Sequence, residues 1–115
     1  APSVLDECQS DFFSTDAPSP FMQVVLPIKE DRRAIIPAVT HIDGSGRLQT
    51  VARATNLRYW NLINEFRKIT GVGVVLNTSF NDNDEPIVCT PKDAIRSFFG
   101  TGLHVLYLGN YRVSK

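Results

Sequence analysis

Two stretches of the chain combine residue types with a spacing that could do chemistry. At 73–76 the sequence reads GVVL, wholly apolar, and it runs straight into Asn77, Thr78, Ser79, Phe80 and Asn81. Amide and hydroxyl side chains placed there can hydrogen-bond a phosphate, a carbonyl or a ribose without carrying charge, and open α/β sheets bind ligands beyond the carboxyl ends of their strands. The same residue types also make Asx-type turns that satisfy local backbone groups, so a plain strand-to-loop turn is the competing reading. The second stretch is Asp43-Gly44-Ser45-Gly46 followed by Arg47. A guanidinium beside flexible backbone amides suits phosphate or carboxylate recognition; the competing reading is a solvated arginine on a hairpin. The two become one site if Arg47 and the turn at 77–79 converge on a cleft.

Other groups offer less. His41 and Asp43 lie two apart, and a metal would need a third ligand, yet the one other histidine, His104, sits in an apolar run. Cys8 and Cys89 are far apart and fit no CxxC spacing, which argues against a disulfide framework or a zinc site. Cys89 precedes a predicted helix start, where its thiol pKa could fall, but a small buried hydrophobe is the simpler expectation for it. The paired glycines match neither a P-loop nor GxGxxG, and no Ser/His/Asp or Cys/His spacing marks a nucleophile. No catalytic residue and no metal ligand is therefore assigned.

These residues need elements to position them. The first twenty residues read as polar and irregular, with Phe12, Phe13 and Phe21 as anchors to a core. Residues 22–26 (MQVVL), 38–42 (AVTHI) and 47–52 (RLQTVA) read as strands, the last two forming a hairpin around the DGSG turn. The best helix covers 56–70, capped by Asn56, with Tyr59, Ile63, Phe66 and Ile69 as its core stripe and Gly71 as its stop. GVVL then reads as a central strand buried on both faces. Thr90-Pro91-Lys92-Asp93 is a capping box that opens a second helix at 91–99. Strands at 103–108 and 111–113 complete the chain. About five strands in one mixed sheet, with two main helices packed on it, predict an α/β fold, with α+β as the variant.

Composition narrows the partners. Lys plus Arg and Asp plus Glu each number 12 in 115 residues, so the formal net charge is zero. A dedicated nucleic-acid binder normally carries a basic surplus, so nucleic acid is not expected as a partner. No apolar run approaches the ~20 residues of a membrane span. The N-terminal APSVLDECQSDFF lacks a basic n-region followed by an apolar h-region. The expectation is a cytoplasmic protein, processed or cut from a longer chain because it lacks a starting Met.

Three blocks carry a resemblance: SPFM at 19–22, IPAVTHIDGSGRLQTV at 36–51, and GVGVVLNTSFNDNDEPIVCTPKDAI at 71–95. Together they resemble the C-terminal region of the O-carbamoyltransferases, the family of the nodulation carbamoyltransferases and of those that carbamoylate tobramycin, novobiocin and cephamycin. The resemblance implies that residues 1–115 are the C-terminal portion of a YrdC-like domain, a partial domain that takes ATP (with Mg²⁺) and carbamoyl phosphate and forms carbamoyl adenylate. It implies iron, and transfer to a hydroxyl acceptor, only in an N-terminal catalytic part outside this chain. It assigns ATP and carbamoyl phosphate binding to Arg47, Asn77 and Ser79, with Thr78 and Asn81 as weaker members. Gly46 stands where the family suggests Ala, and DNDEP stands where VNGEP is more usual. The family's upstream basic residues precede the position of Ala1, so the isolated piece is expected to be inactive. Two alternatives are a non-catalytic YrdC-like module binding nucleotide or RNA, and a dimerisation domain drawing on Trp60 and the early phenylalanines.

Overall fold

The computed structural model describes all 115 residues, in two compact units, 1–77 and 78–115. The first unit is a mixed four-stranded sheet of β1 (Pro2–Leu5), β2 (Val24–Pro27), β3 (Ser45–Val51) and β4 (Val74–Leu76), ordered β2-β3-β1-β4. β1 runs parallel to β3 and antiparallel to β4, while β2 and β3 are antiparallel. A short helix α1 (Gln9–Phe12) follows β1, and the long helix α2 (Leu57–Thr70) links β3 to β4. The fold is α/β, as the sequence predicts.

Helix α2 forms for the reasons its sequence advertises. Asn56 Oδ1 accepts the Tyr59 amide at 3.2 Å and caps the first turn. At the other end Gly71 takes the left-handed conformation (φ 79°) and its amide donates to the Arg67 carbonyl at 2.7 Å. Its stripe is only partly buried, however. Ile63 is fully enclosed and Tyr59 half-buried, but Phe66 is exposed and Ile69 is 84% exposed. Trp60 is half-buried, its indole N–H donating to Glu7 Oε2 at 3.2 Å while the Arg53 guanidinium lies 5.3 Å from its ring.

Four expectations are corrected in this unit. The N-terminal segment is not irregular: all four residues of β1 are buried, between β3 and β4. Pro2 is tolerated because it opens the strand. β4 is consequently an edge strand rather than a central one, and Leu76 is 51% exposed. Residues 38–42 do not form a strand. Pro37 starts a 3-10 turn over Pro37–Val39, closed by the Thr40 hydroxyl donating to the Ile36 carbonyl at 2.9 Å. The true partner of β3 is therefore β2, reached through residues 28–44. The DGSG turn itself is present: Asp43 Oδ1 accepts the Ser45 amide at 2.9 Å and hydroxyl at 2.6 Å. Gly44 takes φ 80° there, and the Arg33 guanidinium fills the place a Cβ would occupy. Finally, Phe12 and Phe13 are core residues beside Val4, Leu5, Ile28 and Leu48, but Phe21 is 74% exposed.

The second unit contains α3 (Pro91–Gly100) and a two-stranded antiparallel sheet of β5 (Val105–Leu108) and β6 (Tyr111–Ser114). The capping box is complete: Asp93 N donates to Thr90 Oγ1 at 3.2 Å and Thr90 N to Asp93 Oδ2 at 3.0 Å. Ala94, Ser97 and Phe98 form the buried side of α3. Cys89 is exposed rather than buried, and His104 is exposed and precedes β5, which starts later than predicted. With β1 gained and the strand at 38–42 lost, the six strands fall into two sheets rather than one.

Candidate functional site

Strand β3 sorts its side chains by alternation. Gly46, Leu48 and Thr50 are buried, whereas Ser45, Arg47 and Gln49 project from the opposite, more open side. Register then builds a polar row across three strands. Gln49 stands opposite Ser3 of β1, and Ser3 stands opposite Val75 of β4. Asn77, two residues past Val75, continues that side, held by its amide donating to the Ala1 carbonyl at 2.8 Å.

Gln49 is the centre of the row. Its Oε1 accepts both the Ser3 hydroxyl at 2.5 Å and the Asn77 side-chain N–H at 2.8 Å, and its Nε2 donates to the Pro20 carbonyl at 3.2 Å. With Nε2 committed to a carbonyl, the amide orientation is determined and Oε1 is the acceptor face. Ser3 is fully buried, so its bond to Gln49 also meets an otherwise costly hydroxyl. Gln49 borders a cleft of about 360 Å³ lined as well by Phe21, Thr55, Asn56 and Tyr59, where α2 begins.

Arg47 lies on the same side of β3, opposite Val25 of β2, exposed and in none of the ion pairs. A cation of this kind, next to neutral donors, is free to meet an anion. The first unit thus places Arg47 and Asn77 on one side of one sheet, with Asn77 held by Gln49, which sequence reasoning missed together with Ser3. Gln49 was accessible from alternation, two positions after Arg47. Ser3 was not, because β1 was read as irregular.

The remaining predicted residues belong to the second unit. Thr78, Ser79 and Asn81 line a cavity of about 480 Å³ together with Phe80, Ser97 and Leu103. Asn81 Nδ2 donates to the Asp82 carbonyl at 2.9 Å and the Glu85 carbonyl at 3.4 Å, so its nitrogen organises the local loop. Nowhere do three His, Cys, Asp or Glu side chains gather as metal ligands. No helix is long and apolar enough to cross a membrane.

A family model described as the carbamoyltransferase C-terminus matches residues 1–115, and the chain belongs to that family. It is 49% identical over 118 residues to the nodulation protein NolNO of Sinorhizobium fredii, covering all of this chain and 17% of that protein. The nodulation protein NolO of Bradyrhizobium diazoefficiens is 46% identical over 118 residues, covering all of this chain and 22% of its own length. Nodulation protein U of Rhizobium tropici is 38% identical over 81 residues, which is 70% of this chain and 14% of that protein. The chain thus spans less than a quarter of the curated relatives it matches.

Proposed function

We propose that this chain is the C-terminal part of an O-carbamoyltransferase and contributes one wall of the site that forms carbamoyl adenylate from ATP and carbamoyl phosphate. The observation that carries the reading is the Gln49-bridged row that sets Asn77 and Arg47 on one side of the first unit's sheet, in a chain matched end to end by this family. Forming the adenylate requires carbamoyl phosphate to give up its own phosphate to water, leaving carbamate, whose oxygen attacks the ATP α-phosphorus; the bond to pyrophosphate breaks, and negative charge grows on the oxygens around that phosphorus. Donors fixed in advance lower that barrier because they need no reorganisation as the charge develops. Arg47 supplies charge and a forked donor geometry, and Asn77 an oriented amide. Mg²⁺ would arrive on the nucleotide's own phosphates.

The hydroxyl acceptor, the iron and the transfer step belong to a catalytic part outside these residues in this reading. The isolated chain then turns over no carbamoyl phosphate and binds nucleotide weakly. Isothermal titration of residues 1–115 with ATP and with carbamoyl phosphate tests this; micromolar affinity for either would overturn it. In the intact enzyme, Arg47→Ala should abolish carbamoyl adenylate formation, and normal turnover would remove Arg47 from the mechanism.

A further inference from the structure

The four-stranded sheet of the first unit has two outer edges, and they are built differently. On β2, Ile28 donates its amide to the Gly44 carbonyl at 3.0 Å, and register carries that phase back to Leu26 and Val24. The outward positions are then Val25 and Pro27. Pro27 has no N–H to offer, and a proline on an edge guards it against pairing with another strand. β4 carries no such guard. Its residues, Val74, Val75 and Leu76, include neither a proline nor a charge.

The phase of β4 follows from its two ends. The Gly73 carbonyl accepts the Leu5 amide at 3.1 Å, and Asn77 exchanges backbone hydrogen bonds with Ala1 at 2.8 and 2.9 Å. Residues 73, 75 and 77 thus turn their backbone groups toward β1, while Val74 and Leu76 turn theirs to the outer edge. Nothing in the first unit bonds to Leu76 on that side, and Leu76 is the accessible end of the edge.

Beside this edge opens a cavity of about 460 Å³, lined by Ile35, Pro37, Val39, Phe66 and Val72 together with β4 itself. No lining residue is charged. Thr70 supplies the one polar side chain, and its hydroxyl is spent internally, donating to the Phe66 carbonyl at 2.8 Å and accepting the Val72 amide at 3.1 Å. A small polar ligand would find no side chain to hold it. The place offers a main-chain donor and acceptor beside an apolar wall, the combination that takes up an extended peptide by strand addition.

The size of the edge selects the occupant. A separate partner or a second copy needs roughly 1,600 Å² of buried surface for a stable interface, more than three edge residues and one groove provide. A segment of the same polypeptide needs no such area, because a tether raises its local concentration to about millimolar. The relatives carry more than three-quarters of their length outside the region this chain matches. We propose that an extended segment from the remainder of the carbamoyltransferase polypeptide pairs with β4 at Leu76, seating apolar side chains at alternate positions against Ile35 and Phe66. The inference rests on the reading that residues 1–115 belong to a longer carbamoyltransferase chain, and uses neither Arg47 nor Asn77 as a ligand-binding group.

The test is residue-resolved amide hydrogen exchange on the intact enzyme, with Val25 of the guarded edge as internal reference. After correction for intrinsic rates, Leu76 should exchange at least about tenfold more slowly than Val25, as expected for one added backbone hydrogen bond. Phe66→Asp puts a carboxylate into the groove and should expel the added strand. Leu76 exchange should then rise to the Val25 rate, and one segment outside residues 1–115 should lose protection with it, which identifies the occupant. Ile35→Asp, at a half-exposed turn position, should do the same and serves if the Phe66 variant fails to fold. Equal rates at Leu76 and Val25 in the parent enzyme, protection that survives both variants, or release of no outside segment would each overturn the proposal. Protection of Leu76 that rises with protein concentration would overturn it in favour of a second copy. Adenylate formation is scored separately: an enzyme with a protected edge that makes no adenylate would sink the proposed function alone, and an active enzyme with an unprotected Leu76 would sink this inference alone.

Discussion

The side-chain nitrogen of Asn77 lies 2.8 Å from Gln49 Oε1, the same oxygen that accepts the hydroxyl of buried Ser3. One acceptor thus orients the residue that ends β4 and completes the hydrogen bonding of β1. Replacing Gln49 by Leu removes the acceptor from both donors and leaves the Ser3 hydroxyl buried without a partner. We expect a loss of about 1–3 kcal/mol, read as a lower denaturant midpoint with unchanged m-value. A midpoint equal to that of the parent protein would mean the bridge contributes nothing.

Gln49→Glu separates structure from electrostatics. The carboxylate still accepts from Ser3 and Asn77, and the Arg47 guanidinium on the same side of the sheet helps keep it ionised. The Pro20 carbonyl loses its donor, so a modest destabilisation of about 1 kcal/mol is expected. Under the proposed function, a negative charge in the row should weaken ATP binding by the intact enzyme far more than it lowers stability. Calorimetric titration beside a melting curve distinguishes the two effects; unchanged ATP affinity would argue against an anion site here.

Arg47 is exposed and unpaired, so its removal should leave the fold almost untouched. Arg47→Ala is expected to change stability by no more than about 0.5 kcal/mol, as for surface positions generally. That makes it a clean functional probe, since any loss of adenylate formation cannot be assigned to unfolding. A large drop in melting temperature would show that the side chain has a structural part.

Local chemistry was the legible portion of this chain, and non-local order was not. The Asn56 cap, the Gly71 stop and the Thr90–Asp93 capping box each depend on residues within four positions of one another, and all three formed as read. Burial of β1 depends instead on β3 and β4 arriving on either side of it, dozens of residues later. Three residues between a proline and an acidic pair carry no periodicity that announces such a place. The same gap misplaced β4, because GVVL reads identically as a central or an edge strand. At the site, Arg47 and Asn77 were identifiable from residue type and punctuation, and Gln49 followed from alternation. Ser3 required knowledge of the sheet order.

Two aspartates set an acid limit on local order. Asp43 is held below the usual carboxylate range by hydrogen bonds from Ser45, and Asp93 by hydrogen bonds from Thr90. A carboxyl group whose pKa is lower folded than unfolded stabilises the fold above its unfolded value, and that contribution disappears as pH falls through the folded value. Asp93→Asn should therefore melt below the parent protein at neutral pH, and the difference should shrink as pH drops past the carboxylate range. A difference independent of pH would exclude the ionised capping box as its source.

The cysteines should react in sequence. Burial pushes the Cys8 thiol up, and it is enclosed in the first unit's core, whereas Cys89 is exposed. Because the thiolate is the reactive form, Cys8 has neither the access nor the ionisation for attack. One equivalent of a thiol reagent should be taken up under native conditions, at Cys89, and the second only in denaturant. Peptide mapping identifies the site, and native labelling of Cys8 would show that the core around β1 opens readily.

Ser97 offers a test of what an unpaired buried hydroxyl costs. Its hydroxyl is buried on α3 without a partner, so the folded protein carries an unmet desolvation cost there. Ser97→Ala removes the hydroxyl at nearly constant shape and adds helix propensity, and should stabilise the chain by about 1 kcal/mol. Thermal melting of the variant against the parent protein measures it. A variant that melts lower than its parent would show that the hydroxyl is already bonded in solution.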